Sequence, residues 1–535
     1  MKDPQPKTIP VSHNAALALS AGFIATLAAF TLLPQVRRDV RLVQTFLAAA
    51  GALLVWSSAL FFALRRTGRS LLLEINLRKQ HYIQACAQGA VLLYWGWYVR
   101  SVYDYVPLIA AQLVFAYAFD CLLSWSRRNT YVLGFGPFPV IFSINLFLWF
   151  KPEWFYFQFA MVALGFLAKE LIRWNREGRR VHVFNPSSFP LAVFSLALLL
   201  TGTTDMTWGV EIAATQFNPP HIYLAIFLVA LPGQLLFGVT TMTMAAVISS
   251  YIFGLLYFAA TGTYFFRDAY IPIAVFLGMH LLFTDPSTSP RTESGRIIFG
   301  VLYGLGTIAL AALLDSVGEP NFYDKLLPVP IMNLLVIGID RLARAGAFRI
   351  VDPSRLGQSL SPARRRFAYV CVWAGVFAVL SAVDGVGDDH RGQYLPFWQQ
   401  ACDSGRERAC EYLAFMKWNY CDRGSGWACN EFGVHRAGHD RTTALRSLRR
   451  GCALGFSAAC ENVRRLTAGA ATLTTAAPRL IDLPIVLRGS KGPVRERTPE
   501  ALYALACERG WPHACDGPPK EVLSEVVPRI TARDR

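Results

Sequence analysis

Two stretches decide how this chain folds: KELIRWNREGRRVHVFNPSSF, Lys169–Phe189, and FTDPSTSPRTESGRIIFGVLYG, Phe283–Gly304. Each places polar residues, prolines and glycines between long apolar runs. Within a bilayer, irregular backbone of this kind is tolerated only where protein or a water-filled cavity surrounds it. We therefore expect both stretches to build a site inside a helix bundle rather than to serve as ordinary loops.

The composition indicates a membrane protein. Of 535 residues, 53% are hydrophobic and 16% are charged, and the mean hydropathy is +0.34. Because about 20 apolar residues cross the hydrocarbon core, we expect an all-α, polytopic transmembrane helix bundle over residues 1–383. The expected spans, about thirteen by this length rule, lie near 14–34, 44–64, 82–100, 107–125, 132–150, 153–169, 186–201, 221–237, 239–259, 270–284, 296–314, 326–342 and 367–383.

The basic residues predict an orientation in a bacterial inner membrane. A net charge of +16 would suggest nucleic acid as the partner of a soluble protein. In a membrane protein it reflects Lys and Arg in short cytoplasmic loops, so we expect the bilayer and no nucleic acid. The amino terminus is then cytoplasmic, and the loop 201–221 is outside. The exceptions to this orientation are Arg37, Arg38 and Arg41, which it places on the outer face. The loops placed inside are 65–79, 127–128, 173–180 and 341–366.

A second, polar and cysteine-rich domain begins near residue 384. Eight of the 11 cysteines form four pairs that share one pattern: Cys, two residues, Gly, three residues, Ala, Cys. The pairs are Cys402–Cys410, Cys421–Cys429, Cys452–Cys460 and Cys507–Cys515. The Gly predicts a left-handed turn after one helix, and the Ala-Cys pair predicts the start of the next. Cysteines that flank such a turn come within bridging distance, so we expect four local disulfides in an oxidising compartment, the periplasm.

This pattern resembles the cysteine-rich subclass of Sel1-like repeats, an α-solenoid family related to tetratricopeptide repeats, over about 402–462 and 500–516. The resemblance implies that residues 384–535 form a domain for protein–protein contact. The composition of 466–498 predicts a linker or insertion. A zinc site is a weaker alternative, because the spacing is wider than that of close ligand pairs. A c-type haem is excluded because the chain has no Cys-x-x-Cys-His.

The membrane motifs resemble the NqrB/RnfD family, the membrane subunits of the redox-driven sodium or proton pumps NQR and RNF. The shared order is AKE, a Gly-Arg-rich turn, FNP, TDPSTSP, T-x-S-G-R and LLPVPIMNLLVIGIDRLAR, and it covers about residues 100–345. The resemblance implies an electron-transport or ion-transport assembly with other membrane or periplasmic subunits, and FMN, quinone or ion sites. The expected cofactor-binding residues are Lys169, Arg180, Asn185, Pro186, Ser187, Thr284, Asp285, Thr288 and Ser289.

The FNP and TDP motifs are helix-start signals. Asn185 is a suitable cap and Pro186 suits the first helical position, and Asp285 precedes Pro286 in the same way. Free amides at two such helix starts would attract an anion at membrane depth. The alternative is that both motifs are tight cytoplasmic turns that hold the bundle together.

The family carries FMN through a phosphoester to the Thr of a Ser/Thr-Gly-Ala-Thr motif. The matching place is the outer loop 201–221, where Ala214 and Thr215 agree with the end of the motif. Ile212 stands in place of Ser or Thr, and Ala213 stands in place of Gly. Thr215 is therefore the candidate attachment residue, and a flavin or quinone bound without a covalent bond is the alternative.

Ionisable groups inside a membrane suggest function by default. His280, five residues before Asp285, is either a proton relay or ion ligand, or a hydrogen-bonded packing residue. Asp120 and Asp340 are expected at the interface, with Asp340 paired to its neighbour Arg341. The glycines at 300, 304 and 306 are explained equally well by close helix packing.

Three functions remain open from the sequence. The first is the electron-transport or ion-transport subunit, favoured by the retained FNP and TDP motifs. The second is a non-catalytic membrane anchor that recruits an exported protein through its repeats, favoured by the altered FMN motif. The third, a small-molecule transporter, fits the span count alone.

Overall fold

The computed structural model describes residues 7–345, 352–355, 359–470, 472–489 and 494–519. Contacts divide the chain into two compact units. The first comprises Met1–Phe253 and Ile271–Gly387, and the second comprises Gly254–Tyr270 and Asp388–Arg535. The sequence placed the boundary near 384 and contained no sign that residues 254–270 belong with the second unit.

The chain up to residue 387 is mostly helical. Its elements are β1 (Lys7–Val11), α1 (His13–Ala29), α2 (Pro34–Arg37), α3 (Val40–Thr67), β2 (Leu71–Ile75), α4 (Lys79–Tyr98), α5 (Ser101–Asp104), α6 (Val106–Arg127), β3 (Thr130–Leu133), α7 (Pro137–Phe147), α8 (Tyr156–Leu171), β4 (Arg173–Arg176), β5 (Arg179–His182), α9 (Ser188–Thr201), α10 (Gly209–Thr215), α11 (Ile222–Phe237), α12 (Thr240–Thr261), α13 (Ile273–Leu277), α14 (Glu293–Ser316), α15 (Pro328–Arg344) and α16 (Pro362–Ala382). A π-helix, Gly278–Leu282, continues α13.

Seven helical segments of the described chain are long and apolar enough to cross a membrane. They are His13–Leu32, Val40–Thr67, Val106–Arg127, Thr240–Thr261, Glu293–Ser316, Asn321–Arg344 and Pro362–Ala382. Shorter apolar helices are Pro137–Phe147, Ser188–Thr201, Ile222–Phe237 and Ile273–Leu282. Each predicted span overlaps a helix, so the helical architecture is confirmed, whereas the count of thirteen spans stays a prediction.

Two small sheets depart from the all-α prediction. In the first, β2 pairs with β1 in antiparallel fashion and with β3 in parallel fashion. In the second, β4 and β5 form an antiparallel hairpin around Glu177 (φ 52°) and Gly178 (φ 75°). Two central residues with positive φ match the twist of a tight hairpin. The Gly-Arg-rich turn of the first motif is therefore a β-hairpin, whose four-residue strands are too short to stand out beside the apolar spans.

Close packing accounts for Gly300 and Gly304, two of the four glycines on α14. A Cβ at Gly300 would overlap the Met242 carbonyl of α12, and one at Gly304 would lie 2.7 Å from the Ala246 carbonyl. At Gly306 the nearest atom would be a Pro328 carbon at 3.8 Å, an ordinary contact. Small residues therefore let α12 and α14 approach closely.

The second unit contains the cysteine repeats. Its helices are α17 (Leu395–Asp403), α18 (Ala409–Asp422), α19 (Gly426–Arg436), α20 (Arg441–Ala453), α21 (Ser457–Thr467), α22 (Leu483–Val486) and α23 (Pro499–Glu508). All four predicted cysteine pairs are bridged, with Cα atoms between 4.5 and 4.7 Å apart. The repeat glycines have φ between +68° and +99°, as expected for left-handed turns. In the fourth copy a short 3-10 turn, Pro512–Ala514, stands in place of the second helix.

The segment 466–498 is not a free linker where the structure describes it. Leu483, Val486 and Leu487 are buried in the core of the repeat helices. The Asp482 carboxylate, also buried, accepts hydrogen bonds from the Ser425 hydroxyl at 2.9 Å and the Trp427 amide at 3.2 Å. The Thr- and Ala-rich composition obscured this short apolar run. Residues 471 and 490–493 of the predicted linker lie outside the described residues.

Candidate functional site

Asn185 joins the start of α9 to the end of the π-helix. Its side-chain oxygen accepts the amides of Ser187 at 3.0 Å and Ser188 at 3.4 Å, and its side-chain nitrogen donates to the Leu282 carbonyl at 2.8 Å. The Asn185 side chain therefore binds amides at the helix start, as expected of a capping side chain, although Ser187 occupies the N-cap position of α9. The helix begins at Ser188, so Pro186 lies in the turn before it, and the prediction of Pro186 at the first helical position is wrong. Because the cap occupies these two amides, they are not available for an anion.

Asp285 is held by the β-hairpin and by its own turn. One carboxylate oxygen lies 3.1 Å from His182 Nε2, and the other accepts the Ser287 amide at 3.0 Å. Burial alone raises the pKa of the Asp285 carboxyl, but these hydrogen bonds outweigh burial and lower the pKa below its usual value. Asp285 caps no helix, because α14 begins only at Glu293, with Thr292 as its cap. The prediction that Asp285 caps a helix is therefore wrong.

Arg176, from the basic loop 173–180 that the sequence analysis placed on the cytoplasmic side, lies at the centre of the site. Its guanidinium donates to the carbonyls of Ser287 at 3.3 Å and Ser289 at 2.9 Å, and to Asp340 Oδ2 at 2.7 Å. The other Asp340 oxygen accepts the Arg291 amide at 2.9 Å. The expected pairing of Asp340 with the adjacent Arg341 is therefore wrong, because Asp340 is buried and turned into the bundle.

The structure thus connects the two motifs through long-range hydrogen bonds. From α15, the Asn333 side-chain oxygen accepts the Asn185 amide at 3.0 Å, so a third segment takes part. The nitrogen of the same Asn333 amide has no partner among the described residues. We call the residues of this set the clasp. They are Arg176, His182, Asn185, Asp285, Asn333 and Asp340.

The other predicted site residues are distributed around the clasp. The hydroxyl of Ser289 donates to the Asp285 carbonyl at 2.6 Å, and that of Thr284 donates to the His280 carbonyl at 3.1 Å. Ser187 donates its hydroxyl to the Asn185 oxygen at 2.8 Å, and Thr288 lies 3.4 Å from Asp285. Lys169, near the end of α8, has its ammonium over the Phe166 ring. Arg180 lies on β5 with an exposed side chain, apart from this group.

Thr215 is separated from the clasp by the length of α9. That helix has 14 residues, which correspond to about 21 Å at 1.5 Å per residue. Thr215 is half-buried at the end of α10, and its hydroxyl donates to the Ile212 carbonyl at 3.2 Å. The ring of Phe322 lies against Gly209 at the start of the same helix. The candidate FMN residue and the other candidate site residues therefore occupy different ends of the bundle.

A buried ion pair that the sequence analysis missed lies beside α10. Asp324 and Lys325 are 3% and 2% exposed, and their charged atoms are 3.8 Å apart. The Lys325 ammonium donates to the Phe322 carbonyl and lies 3.7 Å from the centre of the Phe322 ring. The sequence signal was an Asp-Lys pair between apolar runs, and such a pair is costly to bury without a partner.

His280 lies in the π-helix and is 1% exposed. Its Nδ1 lies 2.7 Å from the Phe276 carbonyl, and its ring packs 4.0 Å from that of Phe276 and 6.1 Å from that of Trp373. These contacts are those expected of a packing residue. The second ring nitrogen, Nε2, has no partner among the described residues.

Two further observations bear on ligands. A cavity of about 280 Å³ is lined by Phe23, Leu77, Tyr117, Leu133, Gly134 and Phe135, all outside the clasp. Within the described residues, no group of three or more His, Cys, Asp and Glu side chains is placed to hold a metal ion.

No protein-family model, curated protein or solved structure matches this chain. The resemblance to the NqrB/RnfD family therefore stays a prediction that rests on the order and the residues of the membrane motifs.

Proposed function

We propose that this protein is a membrane subunit of an electron-transport or redox-driven ion-transport assembly that resembles NqrB/RnfD. The observation that supports the proposal best is the clasp. Motifs about a hundred residues apart meet through the pairs Asn185–Leu282, His182–Asp285 and Arg176–Ser289. Helices interrupted at such a junction are a common way to build substrate and ion sites in a membrane.

The cofactor would contact groups beside the clasp rather than the clasp itself, whose polar atoms largely satisfy one another. Lys169 carries a positive charge at the end of α8 and acts electrostatically on His81 of α4. Nδ1 of His81 is buried without a partner among the described residues. A cation and an unpaired ring nitrogen suit the anionic or carbonyl group of a flavin or quinone.

Covalent FMN at Thr215 fits the local structure poorly. Its hydroxyl is directed to the Ile212 carbonyl, and the space over Gly209 is taken by Phe322. Non-covalent FMN or quinone is therefore the form of cofactor that we propose.

The test is a measurement of bound cofactor. The full chain is purified in detergent, its absorption is recorded, and flavin fluorescence and extracted quinone are measured after denaturation. Flavin or quinone released on denaturation supports the proposal. A fluorescent band that survives denaturation and disappears in Thr215→Ala, but not in Thr201→Ala, would establish covalent FMN. Thr201 is a matched control because its hydroxyl also donates within its own helix, at 2.8 Å to Ala197. Colourless protein without quinone contradicts the redox proposal.

The anchor function is the second candidate, and the repeat unit favours it. Four bridged hairpins form a separate unit with its own core, which suits recruitment of an exported protein in the periplasm. The proposed topology, with a cytoplasmic amino terminus in an inner membrane, places that unit outside. Thiol alkylation of native membranes before and after reduction tests the placement. Before reduction we expect reaction only at Cys86 and Cys371, because Cys121 is buried. Eight further reactive thiols at that stage would exclude an oxidised unit.

A further inference from the structure

The second unit contains the end of a helix that is long and apolar enough to cross a membrane. From Gly254 onward, α12 and the loop after it belong to this unit. The ring of Tyr264 stacks 4.7 Å from Phe258 on α12 and packs 4.8 Å from Phe397 on α17. The Arg406 guanidinium lies against Gly262, where α12 ends. The first repeat is therefore attached directly to the end of a candidate span.

The outer face of α18 carries three aromatic rings in a row. Tyr412, Phe415 and Trp418 lie three residues apart, with ring centres 6.1 Å and 5.9 Å from their neighbours. Phe415 is 47% exposed and Trp418 is 49% exposed. At the other end of the row, the Arg267 guanidinium lies 4.7 Å over the ring of Tyr412. Arg267 comes from the loop that follows α12, so the row starts at the end of the candidate span.

We propose that Phe415 and Trp418 anchor the second unit in the headgroup layer of the bilayer that α12 crosses. Tryptophan, with an apolar body and a polar N–H edge, is enriched at this depth, and the Phe415 ring adds apolar area beside Trp418. Arg267 and Arg406, at the end of the row nearest the span, would meet lipid phosphates. Trp418 lies six residues beyond Tyr412, about 9 Å along the helix, so both exposed rings stay close to the end of the span.

The size of the exposed patch favours lipid over a protein partner. An aromatic side chain buries roughly 150–250 Å² when covered, so two half-exposed rings offer roughly 200 Å². A stable protein interface needs about 800 Å² from each partner. A membrane contact needs far less, because α12 already tethers the unit to the bilayer and the rings add only a local anchor.

Photocrosslinking of the full chain in phospholipid nanodiscs tests the proposal. A benzophenone amino acid replaces Trp418, Phe415 or, as the control, Ile481, which is 69% exposed in the same unit. After illumination and digestion, we expect phospholipid adducts at 418 and 415 at several times the level at 481. Unreactive repeat cysteines before reduction show that each variant has folded.

Equal lipid labelling at all three positions would overturn the proposal, and so would the absence of lipid adducts at 415 and 418. Crosslinking of 418 to a polypeptide would assign the row to a protein partner and overturn it as well. None of these outcomes depends on whether the protein binds a redox cofactor.

Discussion

Removal of the Arg176 guanidinium is the most direct test of the clasp. The Arg176 side chain is 5% exposed, and that of its partner Asp340 is 8% exposed. Arg176→Met leaves a buried carboxylate without its countercharge and deprives the Ser287 and Ser289 carbonyls of their donor. Loss of one partner of a buried ion pair costs about 3–5 kcal/mol. We expect the free energy of unfolding to fall by that amount.

A matched control is an exposed ion pair between α15 and the same hairpin. Arg344 pairs with Glu177 at 3.0 Å, but both side chains are more than half exposed. Arg344→Met should therefore cost less than about 1 kcal/mol. The free energy of unfolding of each variant can be measured by titration with SDS in mixed micelles, with helical circular dichroism as the signal.

A second readout locates the damage. The two carbonyls that lose their donor belong to the loop between the π-helix and α14, so limited proteolysis should cut at residues 286–292 in Arg176→Met and spare that loop in Arg344→Met. Equal stability of the two variants, with the loop intact in both, would refute the role that we assign to the clasp.

Three further predictions concern both units. Burial lowers the pKa of His390 from 6.5 to about 4, so the free energy of unfolding should fall by up to about 3 kcal/mol as pH falls from 6.5 towards 4. His390→Gln should weaken this pH dependence, which is measured as the difference in unfolding free energy between pH 7 and pH 4.5. Lys417→Met should lower the free energy of unfolding by about 3–5 kcal/mol, because the buried Glu431 carboxylate loses its countercharge. The double variant with Glu431→Leu should recover most of the lost thermal stability. Gly300→Leu should cost about 1–3 kcal/mol by forcing α14 off α12, whereas Gly338→Leu, with open space around its Cβ, should leave the melting temperature nearly unchanged.

Local patterns were enough to predict the helices and the cysteine pairs. Long apolar runs coincide with helices because a chain in hydrocarbon must satisfy its own backbone hydrogen bonds. The two cysteines of each pair are eight residues apart and are joined by one glycine turn between two helices, so their spacing was enough to predict that they are close in space. The side-chain hydrogen bonds of Asn185 to the amides at the helix start were predictable for the same reason, because such capping bonds reach only the next three residues.

The clasp was decided by tertiary structure. Arg176 meets Asp340 across 164 residues, and Asn185 meets Leu282 across 97. The sequence analysis paired Asp340 with the adjacent Arg341, because a single sequence shows which residues are neighbours along the chain but not which distant residues come into contact. A buried carboxylate needs a countercharge because desolvation makes an unpaired charge costly. The packing of the helices determines which distant basic residue supplies that countercharge.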